Sequence, residues 1–140
     1  RQGCELGNQL VHGFHARVAM SDDDFIRRFM KPWNDHDVEG AMAFMTEDCI
    51  WEVPRGAEPC GARHDGAAAV RAAIAGAFKS MPDIRYELVR SSFGAGVVVV
   101  ELLVTGTLPD GKSARFQACD VMTMRGEKVA AKRSYRKVVE

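Results

Sequence analysis

Residues 114–135 read ARFQACDVMTMRGEKVAAKRSY, a pattern that predicts two β-strands joined by a turn at residues 125–127. Side chains alternate between the two faces of a strand. Asp120 therefore shares its face with hydrophobic side chains, namely those of Phe116, Ala118, Met122 and Met124. A carboxylate among them costs free energy unless it is paired, hydrogen-bonded or neutralised. We therefore predict that Asp120 faces a core or a cavity and is a functional residue.

The preceding strand carries a second carboxylate. Asp110 and Gly111 stand between two strand patterns, and Asp-Gly in that place is typical of a tight β-hairpin turn. A two-residue turn there places Glu101 directly opposite Asp120, with about 5 Å between their Cβ atoms. Two adjacent carboxylates resist simultaneous ionisation. In this register the Glu101 carboxylate is therefore expected to disfavour ionisation of Asp120.

The strand that follows Asp120 carries a cation. One position of the connecting turn places Arg133 beside Asp120, and a turn moved by one residue places Ala131 there instead. In either register Arg133 and Tyr135 share the face of Asp120, although a β-bulge would move some of these side chains to the other face. If Arg133 pairs mainly with Glu101, Asp120 either stays protonated or acts as an acid/base near neutral pH. If Arg133 pairs with Asp120, the cluster is a structural ion network. The catalytic hypothesis comprises four residues: Asp120, Glu101, Arg133 and Tyr135.

The composition of the chain excludes several classes of protein. A chain of 140 residues with 46% hydrophobic content suits one domain with its own core. The 19 lysines and arginines balance 19 acidic residues, so no basic field exists to hold nucleic acid or a membrane surface. Apolar runs fall well short of the roughly 20 residues of a membrane span. We expect a small apolar ligand as partner, and neither nucleic acid nor a membrane.

Residues 1–20 are expected to form an N-terminal extension, because Met20 directly precedes the first helix signal. The start of the chain has no long apolar segment of the kind that a secretory signal needs. The four cysteines of the whole chain are scattered without paired spacing, which indicates reduced thiols. Cys60 with His64 falls short of a zinc ligand set, as does the segment 35–37. We expect a cytoplasmic protein without a metal ion or cofactor.

The order of the patterns predicts an α+β fold. Hydrophobic residues at helical spacing predict helices over about residues 22–33, 37–45 and 66–80, with a short strand at 49–53. Alternating patterns then predict four antiparallel strands from residue 84 to the end of the chain. Helices followed by an antiparallel sheet give an α+β domain over residues 21–140, with the helices packed on one face.

Several large side chains are placed to line a pocket between the helices and the sheet. Together they suit an apolar, aromatic ligand with a few polar anchors. The expected ligand-binding residues are Phe29, Trp33, Trp51, Phe78, Tyr86, Phe116 and Met122.

The sheet face opposite to Asp120 is also predicted to be apolar. Its members are Val98, Val100, Leu102, Val104, Cys119 and Val121. An antiparallel sheet normally exposes one face to water, so two apolar faces indicate that one of them is covered by a partner. We expect a homodimer through this face; the alternative is a cover formed by the N-terminal extension.

Four segments resemble the SnoaL-like polyketide cyclase family, within the superfamily of nuclear transport factor and ketosteroid isomerase folds. They are WNDHD at 33–37, AMAFMTEDCIWEVP at 41–54, GAAAVRAAIAGAF at 66–78 and CDVMTMRGEKVAAKRSYRK at 119–137. The resemblance implies a conical α+β barrel, in which a curved antiparallel sheet is wrapped by three N-terminal helices around a deep apolar pocket. It also implies dimers through the sheet. Asp120 matches the aspartate that acts as acid/base in the cyclases and as a protonated oxyanion-hole donor in the isomerases.

The chain departs from this family pattern at other positions. The isomerase base would fall on Val53 and its tyrosine donor on Phe29, so steroid isomerisation by that mechanism is not expected. The histidine of the cyclases has no match near Gly106. The related limonene epoxide hydrolases use an Asp-Arg-Asp set, which Glu101, Arg133 and Asp120 resemble by residue type only.

Three hypotheses about function follow. The first is a cofactor-independent enzyme acting on a small polyketide-, terpene- or steroid-like molecule by acid/base catalysis at Asp120. The second is a non-catalytic binding protein that uses the same pocket. The third is a dimeric interaction module whose pocket is filled by its own side chains.

Overall fold

The computed structural model describes residues 22–140, so the expected N-terminal extension lies outside the described residues. Three helices occur in this range: α1 (Asp22–Asn34), α2 (Val38–Met42) and α3 (Ala67–Ser80). Six strands occur as well: β1 (Met45–Glu52), β2 (Arg63–Asp65), β3 (Arg85–Gly94), β4 (Val97–Thr107), β5 (Ser113–Arg125) and β6 (Lys128–Arg136). The predicted α+β fold, with three helices before the four-stranded meander β3–β6, is confirmed.

The six strands form one curved sheet in the order β2-β1-β6-β5-β4-β3. Strands β3 to β6 make the predicted antiparallel meander, and β1 joins β6 in parallel. The sheet does not close into a barrel, because β2 and β3 remain at its edges. The conical shape implied by the resemblance is therefore an open, curved sheet with helices on its inner face.

Helix α1 supplies much of the core that covers the inner face. Three aspartates, residues 22–24, occupy its first turn and interact favourably with the positive end of the helix dipole. Ile26, Phe29 and Trp33 are buried at helical spacing on the side that meets the sheet. None of the helices within residues 22–140 is long and apolar enough to cross a membrane.

The loop between β4 and β5 is one residue longer than the predicted turn. The backbone N–H of Leu108 donates to the carbonyl of Lys112 at 2.8 Å, and the N–H of Gly111 donates to the carbonyl of Leu108 at 2.8 Å. Three residues, 109–111, therefore lie between the paired ends. Gly111 has a φ of 83°, the left-handed conformation in which three-residue hairpin loops end.

This longer loop moves the register of β4 and β5 by one residue, and a shift of one residue exchanges the faces of a strand. Val100 lies opposite Asp120, and Glu101 lies opposite Cys119. The prediction that Glu101 faces Asp120 is therefore wrong. The Glu101 carboxylate points to the other face of the sheet, where it forms an ion pair with Arg90.

A β-bulge shifts the register of β5 and β6 as well. Next to their turn, Arg125 pairs with Lys128, which agrees with one of the two predicted turn positions. The register then changes between Thr123 and Met124, which leaves Ala130 as the extra residue on β6. Such a bulge reverses the faces of the residues that follow it.

Beyond the bulge, Ser134 lies opposite Asp120 and Arg133 lies opposite Val121. Arg133 and Tyr135 thus project from the outer face of the sheet, and Tyr135 is 57% exposed. The prediction that these two side chains share the face of Asp120 is wrong, because the bulge at Ala130 intervenes.

The faces of β4 are exchanged for the same reason. The four residues predicted for the outer face belong instead to the buried core under the helices: Val98, Val100, Leu102 and Val104. The outer face of β4 carries the half-buried side chains of Val97, Val99 and Leu103.

Candidate functional site

The inner face of the sheet holds one buried ion pair among the described residues, formed by Asp120 of β5 and Lys132 of β6. The Nζ atom of Lys132 is 3.2 Å from a carboxylate oxygen of Asp120. The two residues are 7% and 5% exposed. Two opposite charges at this separation compensate part of the large desolvation cost of each. The structure therefore places Asp120 where the sequence predicted, with Lys132 rather than Arg133 as its cation.

A serine and a tryptophan complete the polar contacts of this pair. Lys132 Nζ donates a hydrogen bond to Ser134 Oγ at 3.0 Å, and Trp51 Nε1 donates to the same oxygen at 3.0 Å. Trp51 lies directly beside Lys132 in the parallel pairing of β1 and β6. These contacts fix the lysine side chain on the inner face.

Two indole rings enclose the ammonium group. Lys132 Nζ lies 4.6 Å from the ring centre of Trp33 and 4.7 Å from that of Trp51. The two indoles meet edge to face with their ring centres 5.6 Å apart. Cation–π attraction toward two rings adds to the ion pair in holding the charge inside the protein.

A small cavity of about 20 Å³ adjoins the ion pair. Besides Asp120 and Lys132, its lining consists of six aromatic or apolar side chains: Phe29, Met30, Trp33, Tyr86, Val100 and Leu102. This volume suffices for about one water molecule. The cavity lies at the predicted place but is far smaller than the deep pocket that the resemblance implies, so a polyketide-sized ligand would have to displace side chains to enter it.

Two residues of the cavity lining, Trp33 and Tyr86, carry side-chain hydrogen-bond donors. Trp33 Nε1 is buried and has no hydrogen-bond partner among the described residues. Burial, together with the charge of Asp120, raises the pKa of Tyr86, so its hydroxyl stays protonated as a donor. Asn34 fixes the backbone of Tyr86, because its side-chain amide donates to the Tyr86 carbonyl at 3.0 Å and accepts from the Tyr86 N–H at 2.8 Å.

The seven side chains predicted to bind a ligand are distributed as follows. Phe29, Trp33 and Tyr86 line the cavity, and Trp51 contacts Lys132. Met122 is fully buried opposite Lys132. Phe78 packs edge-on against Trp33 with 6.0 Å between ring centres, and Phe116 lies under the Arg136 guanidinium at 4.4 Å. The structure thus brings the two tryptophans, Phe29, Tyr86 and Met122 to the ion pair and leaves Phe78 and Phe116 outside the cavity lining.

Arg133 takes part in a second ion cluster. Its Nε is 3.1 Å from Glu52, which Arg63 also approaches at 3.7 Å, and its Nη1 donates to Thr123 at 3.2 Å. Glu52 is nearly as buried as Asp120, with 9% exposure against 7%. This cluster ties β1, β2 and β6 together on the outer side of the sheet, so Arg133 has a structural partner there. Within residues 22–140, no group of three or more His, Cys, Asp or Glu side chains is arranged to hold a metal ion.

Sequence reasoning missed Lys132 and Ser134. Both have the opposite parity to Arg133 and Tyr135, so the bulge that removes one pair from the inner face brings the other pair onto it. The sequence carried one signal of this change. Val129, Lys132 and Ser134 share one face of the strand if one of the two alanines, residues 130–131, is an extra residue.

A comparison of the sequence with protein-family models agrees with the fold. The model of the SnoaL-like domain family matches residues 26–132, and the chain therefore belongs to that family. The predicted resemblance is confirmed. No curated protein sequence matches the chain significantly.

Solved structures with the same fold include three with similar overlap. An NTF2-like protein of unknown function from Burkholderia pseudomallei has 20% identity and a TM-score of 0.74, over 84% of this chain and 92% of that one. A cystatin-fold protein from Novosphingobium aromaticivorans has 22% identity and a TM-score of 0.70, over 84% and 100%. TerC, crystallised with polyporic acid, has 21% identity and a TM-score of 0.71, over 82% and 90%. At these identities the similarity establishes the fold alone.

Proposed function

We propose that the protein is a cofactor-independent enzyme that acts on a small, largely apolar molecule, with Asp120 as the acid/base and Lys132 as its charge partner. The observation that carries this proposal is the buried Asp120–Lys132 pair in the wall of a cavity. Apolar residues of similar volume in place of a buried ion pair are often as stable or more stable. A charge pair retained beside a cavity is for that reason a candidate functional site.

The chemistry of the pair is proton transfer with charge stabilisation. A ligand that enters beside Asp120 presents a C–H or O–H proton to its carboxylate, which acts as general base and returns the proton as general acid. The Lys132 ammonium, 3.2 Å away, stabilises the negative charge that develops on the ligand oxygen. Tyr86 and Trp33 would supply two further donors, since Trp33 Nε1 has no hydrogen-bond partner within residues 22–140.

One structure of the same fold supports a small organic molecule as the class of ligand. TerC was crystallised with polyporic acid, so a protein of this fold binds a small organic molecule. For this chain, aromatic walls of Phe29, Trp33 and Tyr86 favour an apolar or aromatic body, and Asp120 with Lys132 favours an oxygen substituent.

A second candidate is a non-catalytic module whose pocket is filled by its own side chains. The small cavity of about 20 Å³ favours it, since Lys132 already occupies the space beside Asp120. The two candidates differ in one respect. An enzyme requires the side chains around Met30 and Tyr86 to move aside for a ligand, and a filled module does not.

A thermal-shift screen separates the two. We would measure the melting temperature of the wild type, Asp120→Asn and the exposed control Asp23→Asn with polyketide-like aromatics, steroids and terpene epoxides. Asparagine keeps an oxygen acceptor for Lys132, and each shift is taken relative to the same variant without ligand. The enzyme proposal expects a ligand class that stabilises the wild type and Asp23→Asn but not Asp120→Asn. An absence of any shift with all three proteins would favour the filled module.

We also propose that the protein forms a homodimer through the outer face of the sheet. Val97, Val99, Leu103 and Val121 lie together there and are only partly exposed in the single chain. An apolar outer face on an antiparallel sheet favours a partner. Light scattering should give a dimer mass for the wild type and a monomer mass for Val99→Lys; a monomeric wild type would contradict the proposal.

A further inference from the structure

Lys132 differs from every other lysine of the chain. The sequence has six lysines, and the other five are exposed: Lys31, Lys79, Lys112, Lys128 and Lys137. Lys132 is 5% exposed and lines the cavity next to Asp120. Its contacts with Asp120, Trp33 and Trp51 stabilise the ammonium form. The amine therefore becomes a nucleophile only after its proton passes to a base, and Asp120 is the base within reach.

We propose that Lys132 forms a covalent imine with an aldehyde or ketone that enters the cavity, so that carbonyl compounds are the substrate class of this site. This inference rests on the proposed function, because it requires that the cavity beside Asp120 admits a ligand. It assigns Lys132 a role as nucleophile in addition to its role as charge partner.

The geometry accounts for the first half of the reaction. The Lys132 ammonium gives one proton to the Asp120 carboxylate across the 3.2 Å contact, which leaves a neutral amine. The amine nitrogen then bonds to the carbonyl carbon, and the electron pair of the C=O π bond moves to oxygen. Asp120 returns its proton to that oxygen, which gives a carbinolamine that still carries two hydrogens and a positive charge on nitrogen.

The second half releases water. Asp120 takes one proton from the carbinolamine nitrogen and delivers it to the hydroxyl, the C–O bond breaks, and a protonated imine and one water molecule result. Nothing is oxidised or reduced, and the net change is ammonium plus carbonyl to iminium plus water. The iminium keeps the positive charge of Lys132, so the ion pair with Asp120 and the attraction of Trp33 and Trp51 persist in the product.

The iminium connects this inference to acid/base catalysis. A protonated imine withdraws electrons from the neighbouring carbon and acidifies its C–H bond, and Asp120 is the adjacent base that would take that proton. The aromatic walls favour a carbonyl compound with an apolar or aromatic body. Met30 is the adaptable part of the wall, since it is partly exposed and unbranched.

Reductive trapping tests the inference directly. The protein is incubated near neutral pH with benzaldehyde and sodium cyanoborohydride, which reduces an imine to a stable benzylamine, and the modified lysines are located by peptide mass spectrometry. General acid–base assistance typically contributes about 10²–10⁴-fold, so labelling of Lys132 should exceed that of the exposed lysines by at least about tenfold. The five exposed lysines serve as internal controls for non-specific alkylation.

Three variants sharpen the test. Lys132→Arg keeps the positive charge but cannot form an imine, so labelling at position 132 should be lost. Lys79→Arg changes an exposed lysine in the same way and should leave the labelling of Lys132 unchanged. Asp120→Asn should slow labelling of Lys132 by about 10²-fold if Asp120 moves the protons.

The wild-type result decides the question even if a variant fails to fold. An unlabelled Lys132 beside labelled exposed lysines would overturn the inference. If a ligand class still stabilises the protein through Asp120 in the thermal-shift screen, the proposed function stands and only the imine is lost. If Lys132 is labelled at the same rate in Asp120→Asn, the assignment of proton transfer to Asp120 is overturned.

Discussion

Lys132 lies diagonally across from Asp120 on the neighbouring strand, with its Nζ 3.2 Å from a carboxylate oxygen. The residue directly opposite Asp120 is Ser134, and the residue directly opposite Lys132 is Met122. Both charges lie on the inner face of the sheet, and the bulge at Ala130 is what brings Lys132 there. The contribution of this ion pair to stability can be tested separately from any activity.

Removal of one partner of the pair should destabilise the protein more than removal of both. Asp120→Leu leaves the buried Lys132 ammonium without its carboxylate and should lower the free energy of unfolding by roughly 3–5 kcal/mol. Asp120→Leu combined with Lys132→Met should restore most of that loss, since two apolar side chains of similar volume need no compensation. Urea unfolding measures both.

The exposed pair of Arg90 and Glu101 is the matched control for this measurement. Glu101→Gln should change the free energy of unfolding by no more than about 1 kcal/mol, as is usual for solvent-exposed pairs. A double variant at Asp120 and Lys132 that is as unstable as Asp120→Leu alone would show that the two charges do not compensate each other.

The left-handed residue in the β4–β5 loop should be sensitive to a single methyl group. Gly111→Ala puts a Cβ where φ is 83°, and should lower the free energy of unfolding by about 1–2 kcal/mol. A Cβ at Gly111 would meet no atom within 4 Å, so the effect comes from the backbone conformation. Gly76→Ala, at an exposed position of helix α3 and equally free of contacts, should have the opposite sign and stabilise by about 0.5–1 kcal/mol. If both variants raise the free energy of unfolding, or both lower it, the left-handed Gly111 of the three-residue loop is contradicted.

The alkaline limb of the stability profile should depend on Tyr86. Burial and the charge of Asp120 raise the pKa of Tyr86, so the folded protein keeps this proton at a pH where the unfolded chain releases it. The resulting stabilisation is complete below the ordinary tyrosine pKa of about 10 and is lost as the pH rises above that value. Tyr86→Phe should therefore flatten the fall in melting temperature at high pH.

Tyr135→Phe is the control, because Tyr135 is the other of the two tyrosines and is exposed on the outer face. A wild type and a Tyr86→Phe variant with parallel alkaline limbs would show that the Tyr86 hydroxyl is not held in the buried position that the structure gives it.

Periodicity was sufficient to predict the fold and the location of Asp120. Alternation on β5 places Asp120 among hydrophobic residues, and this needs no knowledge of its neighbours. Helical spacing placed Phe29 and Trp33 on the buried side of α1 for the same reason. Both inferences depend on the pattern within one element, which the sequence displays directly.

The partners of Asp120 depended on features between elements. A loop of three residues instead of two moved Glu101 away, and one bulged alanine exchanged Arg133 for Lys132. Each difference is a single residue. Because side chains alternate between the two faces of a strand, one extra residue moves the side chains that follow it to the opposite face of the sheet. Asp-Gly is compatible with both loop lengths, and nothing in the run of alanines at 130–131 marks which one is extra.

The most direct test of the central claim is turnover of the best ligand class from the thermal-shift screen, measured by product analysis for the wild type, Asp120→Asn and Asp23→Asn. We expect Asp120→Asn to lose about 10²–10⁴-fold in rate, as is typical when a general acid/base is removed, while Asp23→Asn keeps the wild-type rate. Circular dichroism would establish that Asp120→Asn remains folded. Equal turnover by a folded Asp120→Asn protein would contradict the claim that the Asp120–Lys132 pair is the catalytic site.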